Sequence, residues 1–519
     1  MRRNLKKMNK TLRSRIDWMI TILPFFTILA FCLVCFISPA DSAHVLNSVR
    51  RFLSEEFSWY YLLAGFAILL LTLYIACSRY GTIRLGEGAP AFSTLQWGAM
   101  IFTSGLAADI MFYSLCEWII YANEPYVQSL GDLQRWASTY PLFHWGPIPW
   151  SMYLSVAAAF GFMLHVRRRK KQKYSEACRP LLGRHTDGIA GHLIDLLAVF
   201  ALIAGTATTF SISAPLLSGI LADLLGLPVS TGLTILILLF VCLSYTIAVY
   251  FGNAGVSKLA SLCIQLFFLF LFYVLTFGGM GRYILDLGLS AIGTVAQNFI
   301  LLGSNTDPLR TSGFPQNWTV FYWAYWMVWC VATPFFIGSI SRGRTIRQMI
   351  FGGFGFGVSG TWLSFIVLGN YGMGLQMHHI QDFAARFHGG EDLYSIILSL
   401  LNTLPFPRLV MVLLALTMIG FYATSFDSIA LVASAYSYKE LHDREEPARA
   451  VKVFWSILLI LLPIALLFSE SSMANLQTVS IIAAFPIGII MLLIIAAFFR
   501  DASAYLKECG SSKQGESHE

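Results

Sequence analysis

The chain has 519 residues, of which 56% are hydrophobic and 12% charged, with a mean hydropathy of +0.66. A composition this apolar excludes a water-soluble globular fold and indicates an all-α polytopic membrane protein. The net charge of +7 falls in the loops between apolar runs and at the N-terminus, where the positive-inside rule accounts for it, so nucleic acid is excluded as a partner.

The basic start, MRRNLKKMNKTLRSR, leads into a long apolar run with no prompt small-residue cleavage site, which reads as a retained first helix. Each crossing needs about 20 apolar residues, and twelve spans are predicted at 17–37, 57–77, 94–122, 138–165, 189–222, 229–251, 257–278, 318–341, 347–371, 405–437, 449–469 and 474–498. The even-numbered loops carry SRYGTIR, VRRRKKQKYSEACRPLLGR, GNAGVSK, SRGRTIRQ and YKELHDREEPARAVK. Their basic bias puts those loops and both termini on the cytosolic side of the membrane. Two outer stretches, at 279–317 and after His378, have the pattern of interfacial helices, the second with a Gly-Gly break. No Walker A, GxGxxG, HExxH or GxSxG motif occurs, and the nine cysteines show no CxxC or Cys/His metal spacing. These observations exclude an enzyme and imply neither cofactor nor metal; a secondary transporter remains, or less readily a channel.

The third predicted span contains TSGLAADIMFYSLCEW, where small residues flank Asp109, with Glu117 eight positions on. An acid inside a span is costly and so marks a functional position, and small residues there let the helix unwind. Asp109 either balances a cationic substrate, carries a coupling proton, or pairs with Lys258 at the start of the seventh span; Glu117 reads as structural. Lys258 either snorkels to the interface or places its ammonium where a coupling sodium would sit. Thr424 and Ser425 offer hydroxyls of the kind sodium takes, or bond only to their own helix. The fourth span carries Trp145, Trp150 and Tyr153 in FHWGPIPWSMY, interrupted by Pro147 and Pro149, and the eighth carries Trp323, Trp326 and Trp329 at intervals of three. That spacing predicts one ring-bearing helix face. Two such faces in a dry compartment make a cage for a quaternary ammonium ion, worth about 2 kcal/mol per ring contact.

The stretches FHWGPIPW-x-x-Y, NWTVFYWA-x-W-x-x-W, SRGRT and APAFSTLQW together resemble the betaine/choline/carnitine transporter family over nearly the whole chain. The resemblance implies a LeuT-like core of two inverted five-helix repeats, spans 3–7 and 8–12, behind two peripheral helices, alternating access, and a homotrimer. The corresponding divisions are a basic cytosolic N-terminus at 1–16, peripheral helices at 17–92, repeats at 93–278 and 318–498 around an outer amphipathic helix at 279–317, and a cytosolic C-terminus at 499–519. It also assigns the aromatic box to Trp145, Trp150, Tyr153, Trp323, Tyr325, Trp326 and Trp329. Asp109 stands where sodium-coupled betaine carriers of the family have a glycine, as in its choline carriers. Lys258 stands where its sodium-independent carnitine exchangers have arginine. Ala332 and Thr333 replace the glutamine and methionine of those exchangers. The resemblance therefore implies sodium-independent transport of choline, with carnitine/butyrobetaine exchange and glycine betaine import as alternatives; the short, weakly basic C-terminus speaks against an osmotically gated betaine importer.

Overall fold

The computed structural model describes residues 15–251, 254–441, 446–468 and 473–516. The chain starts with α1 (Trp18–Ile37), capped by the Asp17 carboxylate, then α2 (Pro39–Glu56) and α3 (Ser58–Cys77). The third predicted span is two helices, α4 (Thr94–Ser104) and α5 (Ala108–Ala122), bent by 65° across Gly105–Ala107. The fourth is also divided: α6 (Leu133–His144) stops before Gly146, and Pro147 begins α7 (Pro147–His165) in its first turn, where a missing N–H costs nothing. Long α8 (Ile189–Leu225) ends on left-handed Gly226, followed by α9 (Thr231–Phe251), α10 (Ala254–Phe277) and α11 (Gly281–Ser304).

The eighth predicted span is broken as well: residues Pro315–Trp329, including α12 (Val320–Trp329), meet α13 (Thr333–Ile340) at 53°. The remaining long helices are α14 (Ile346–Met377), α15 (Pro407–Tyr436), α16 (Arg449–Phe468) and α17 (Met473–Glu516). The outer stretch after His378 forms two short helices, Phe383–His388 and Leu393–Leu401, separated at Gly389 and Gly390, the latter at φ +92°.

Among the described residues nine helices are long and apolar enough to cross a membrane, or eleven if each bent pair is one span. This is one fewer than the twelve expected from sequence. The described apolar parts of α9 and α10 are only Thr231–Leu243 and Leu262–Phe277, whereas α11, expected to lie along the outer surface, has the length and composition of a span. An all-α polytopic membrane protein is the architecture observed.

Two features fix the ends of the bundle around its core. Before α12, the Asp307 carboxylate accepts hydrogen bonds from the backbone of Thr311, Ser312 and Gly313 and from the Thr311 and Ser312 hydroxyls. That knot delivers Phe314 onto Tyr121, Tyr126 and Tyr140. At the opposite end Asp501 of α17 bonds Arg167 and Arg169, and Glu508 bonds Arg167 again.

An aromatic cage at two broken helices

The breaks in α4–α5 and α12–α13 bring the chemistry-bearing side chains together. In an apolar helix, polar residues every fourth position make a single polar ridge. Asp109, Tyr113, Glu117 and Tyr121 form such a ridge along α5, every member buried. The ridge faces His144 and Trp145 at the end of α6, and Tyr322 and Tyr325 of α12.

Trp326 is the hub. Its ring centroid lies 4.8 Å from Tyr153, 5.6 Å from Trp145 and 5.9 Å from Trp150, while Trp150 and Tyr153 are 5.7 Å apart. Trp150 reaches the break itself: a β-carbon at Gly105 would stand 2.6 Å from its ring, and one at Gly357 of α14 would stand 2.4 Å away. Glycine at both positions is what lets the indole lie flat against two backbones. Its N–H points to the Thr361 hydroxyl at 3.4 Å. Trp145 donates its indole N–H to Glu117 at 2.9 Å, and Glu117 also accepts from Tyr121 at 2.6 Å, whose hydroxyl shares a 2.7 Å contact with His144. Glu117 is thus the anchor that orients one wall of the cage.

Four of the seven predicted box residues meet here: Trp145, Trp150, Tyr153 and Trp326. The expectation that Trp323, Trp326 and Trp329 share one face is corrected. Steps of three rotate about 60° back around a helix at each residue, so the three rings fan out. Trp323 turns aside from the cage, against Phe143 at 5.4 Å and His144 at 5.7 Å. Trp329, half-buried, lies against Gly205 of α8. Tyr325 stacks on Phe321 and donates its hydroxyl to Asp109, with Thr209 as a second hydroxyl neighbour. Asp109 sits in the first turn of α5, 3% exposed, where the N-terminal end of a helix dipole favours a carboxylate.

The predicted coupling residues are not assembled around Asp109 by any described hydrogen bond. The Thr424 hydroxyl donates back to the Gly420 and Phe421 carbonyls of its own helix, both at 3.1 Å, which is the local role of such a hydroxyl. Ser425 is half-buried one residue on. Lys258 lies in α10, and its side chain falls outside the described residues.

Sequence reasoning missed the donors that surround the rings. Tyr113 packs on Trp145 at 5.8 Å and on Tyr322 at 5.7 Å; the signal for Tyr113 was its place four residues after Asp109. Glu117 was read only as structural, although its fourfold spacing from Tyr113 and Tyr121 places it on the ridge. Removing it by Glu117→Ala leaves the Trp145 N–H buried without an acceptor, which costs about 2 kcal/mol. The expected result is a lowered unfolding temperature of the purified protein in detergent, with Glu117→Gln, which keeps an acceptor, falling between.

A cleft of about 790 Å³ opens from the end of the bundle that carries Glu87, Arg168 and Arg342. It runs past His165 and Phe335 to Val331, two residues beyond Trp329 at the break between α12 and α13. One face of the broken helix is therefore reached from that end.

The family model described as betaine/carnitine/choline family transporter matches residues 19–507. Among curated proteins, the chain is 28% identical over 460 residues to the carnitine transporter of Acinetobacter baumannii, covering 87% of this chain and 83% of that protein. It is 30% identical over 510 residues to the osmo-dependent choline transporter BetT2 of Acinetobacter baylyi, covering 94% and 71%. To the high-affinity choline transport protein of Escherichia coli it is 30% identical over 485 residues, covering 91% and 70%.

Proposed function

The chain belongs to the betaine/carnitine/choline transporter family and is a membrane transporter of small quaternary amines, and on that premise we propose that its substrate is choline, moved by alternating access without sodium. The observation that carries this reading is the pairing of a buried four-ring cage with a buried carboxylate: Asp109 is bonded through Tyr325, and Tyr325 lies next in sequence to the hub Trp326. Rings alone hold any trimethylammonium group. A carboxylate beside them favours a substrate with a bare positive charge over one that brings its own. The cage rings are Trp145, Trp150, Tyr153 and Trp326. The cleft from the Arg168 and Arg342 end is the inward vestibule, consistent with cytosolic termini under the positive-inside rule.

Choline is a permanent cation, so a membrane potential of 100 mV contributes about 2.3 kcal/mol to its entry, roughly a fiftyfold accumulation. Lys258 supports independence from sodium as the substitute for the arginine of sodium-independent carriers. Proteoliposomes loaded with potassium are the test. Labelled choline uptake is expected to persist when external sodium is replaced, and to rise when valinomycin makes the interior negative. Strict dependence on sodium would remove the reading.

A second reading, carnitine/butyrobetaine exchange, is supported by the similarity to the Acinetobacter baumannii carnitine transporter. In it Asp109 is neutralised by Lys258, and uptake requires counter-substrate inside the liposome. The family resemblance supports a homotrimer and a core of two inverted repeats, each opening with one of the two broken helices.

A further inference from the structure

Among the described residues only a handful of buried side-chain polar atoms lack a hydrogen-bond partner. The Tyr322 hydroxyl, whose ring packs on Trp145, is one, and three more are the Tyr113 hydroxyl, the Trp326 indole N–H and the Gln477 amide nitrogen. Their residues are 0%, 3% and 2% exposed. A buried polar group without a partner costs about 1–3 kcal/mol, and native proteins leave few of them. Three within one ring cluster, in a protein whose cargo enters this region, are hard to explain as packing accidents.

Their placement is specific. Tyr113 stands one helical turn beyond Asp109 on the α5 ridge, its ring 5.8 Å from Trp145. Gln477 lies on α17, which packs along α12, the helix that carries Trp326. Trp326 is itself a cage wall, 5.6 Å from the same Trp145. All three atoms carry hydrogen to donate, so what they fit is an acceptor. Asp109 stands one turn before Tyr113 on the same buried ridge, so a second anion beside it would be repelled. The acceptor that suits both facts is a neutral oxygen.

We infer that Tyr113, Gln477 and the Trp326 N–H form a second subsite, beside the methylammonium cage, that takes the hydroxyl of an amino-alcohol substrate. The inference rests on the choline reading and adds the part of the site that tells choline from a bare tetraalkylammonium ion. The cage supplies affinity for the methyl groups, and the donor set supplies selection for the tail. A site whose buried donors need a partner discriminates strongly against a ligand that lacks one.

The experiment compares tetramethylammonium, choline and glycine betaine on the purified full-length protein by calorimetry, for wild type, Tyr113→Phe, Gln477→Leu and the double variant. Wild type is expected to bind choline at least tenfold more tightly than tetramethylammonium. Each single variant is expected to lose about fivefold to tenfold in choline affinity while tetramethylammonium affinity stays within twofold, which also shows that the variant is folded. Equal losses for both ligands, or none for choline, overturn the subsite while leaving the cage. Betaine losing as much as choline would replace the hydroxyl by a carboxylate and overturn the stated specificity. Failure of tetramethylammonium to bind wild type strikes the cage itself, and the subsite with it.

Discussion

Trp326→Ala is expected to abolish substrate binding. This ring touches three others of the cage, Tyr153, Trp145 and Trp150, at centroid distances of 4.8–5.9 Å, so it joins Trp145 to the Trp150–Tyr153 pair. A desolvated cation over an indole face gains about 2 kcal/mol or more, and removing the ring also opens a cavity into which the neighbouring rings relax. The combined loss is more than a hundredfold in affinity, measured by calorimetry with choline and with tetramethylammonium. Trp326→Phe restores part of it. The contrasting variant is Trp323→Phe: that ring packs on Phe143 and His144, away from Trp145 and Trp150, so affinity stays within about threefold although the protein unfolds at a lower temperature. Unchanged affinity in Trp326→Ala would mean that the rings are a packed core and nothing more.

The difference between the two tryptophans shows what the sequence could and could not convey. The apolar runs, the small residues at Gly105–Ala107 and the proline pair at Pro147 and Pro149 announce spans and the places where they break, because helix length and backbone hydrogen bonding are local properties. The break between α12 and α13 carries the same kind of mark, Pro334 in the first turn of α13, although residues Cys330–Ala332 themselves contain neither glycine nor proline. An interval of three was read as one face, whereas a straight helix spreads 323, 326 and 329 over a third of its circumference, and only the hub position meets α7. Fourfold spacing along α5 carried the better signal, since each step of four drifts only about 40° around the helix against about 60° for a step of three. Which partner each ridge residue finds depends on other elements. The Trp145 N–H on Glu117 and the Tyr325 hydroxyl on Asp109 join residues 28 and 216 positions apart, and no local pattern encodes them.

Asp109→Gly is expected to weaken choline uptake far more than betaine uptake. A carboxylate about 6 Å from a cation, at an effective dielectric constant of about 20, contributes about 3 kcal/mol. Choline loses that interaction in full. Betaine, whose own carboxylate was repelled by Asp109, loses nothing comparable, so the ratio of choline to betaine uptake falls at least tenfold. The substitution is tolerable in structural terms, because the Tyr325 hydroxyl keeps Thr209 as a partner and the position lies in the first turn of α5, where glycine costs less than in a helix interior. Asp109→Asn separates charge from shape: its amide oxygen still accepts from Tyr325, so a choline defect as large as that of Asp109→Gly assigns the effect to the negative charge, and a near-normal rate assigns it to the hydrogen bond. Labelled uptake of both substrates into the same proteoliposomes is the measurement, and equal losses in Asp109→Gly would show that the carboxylate does not select the substrate.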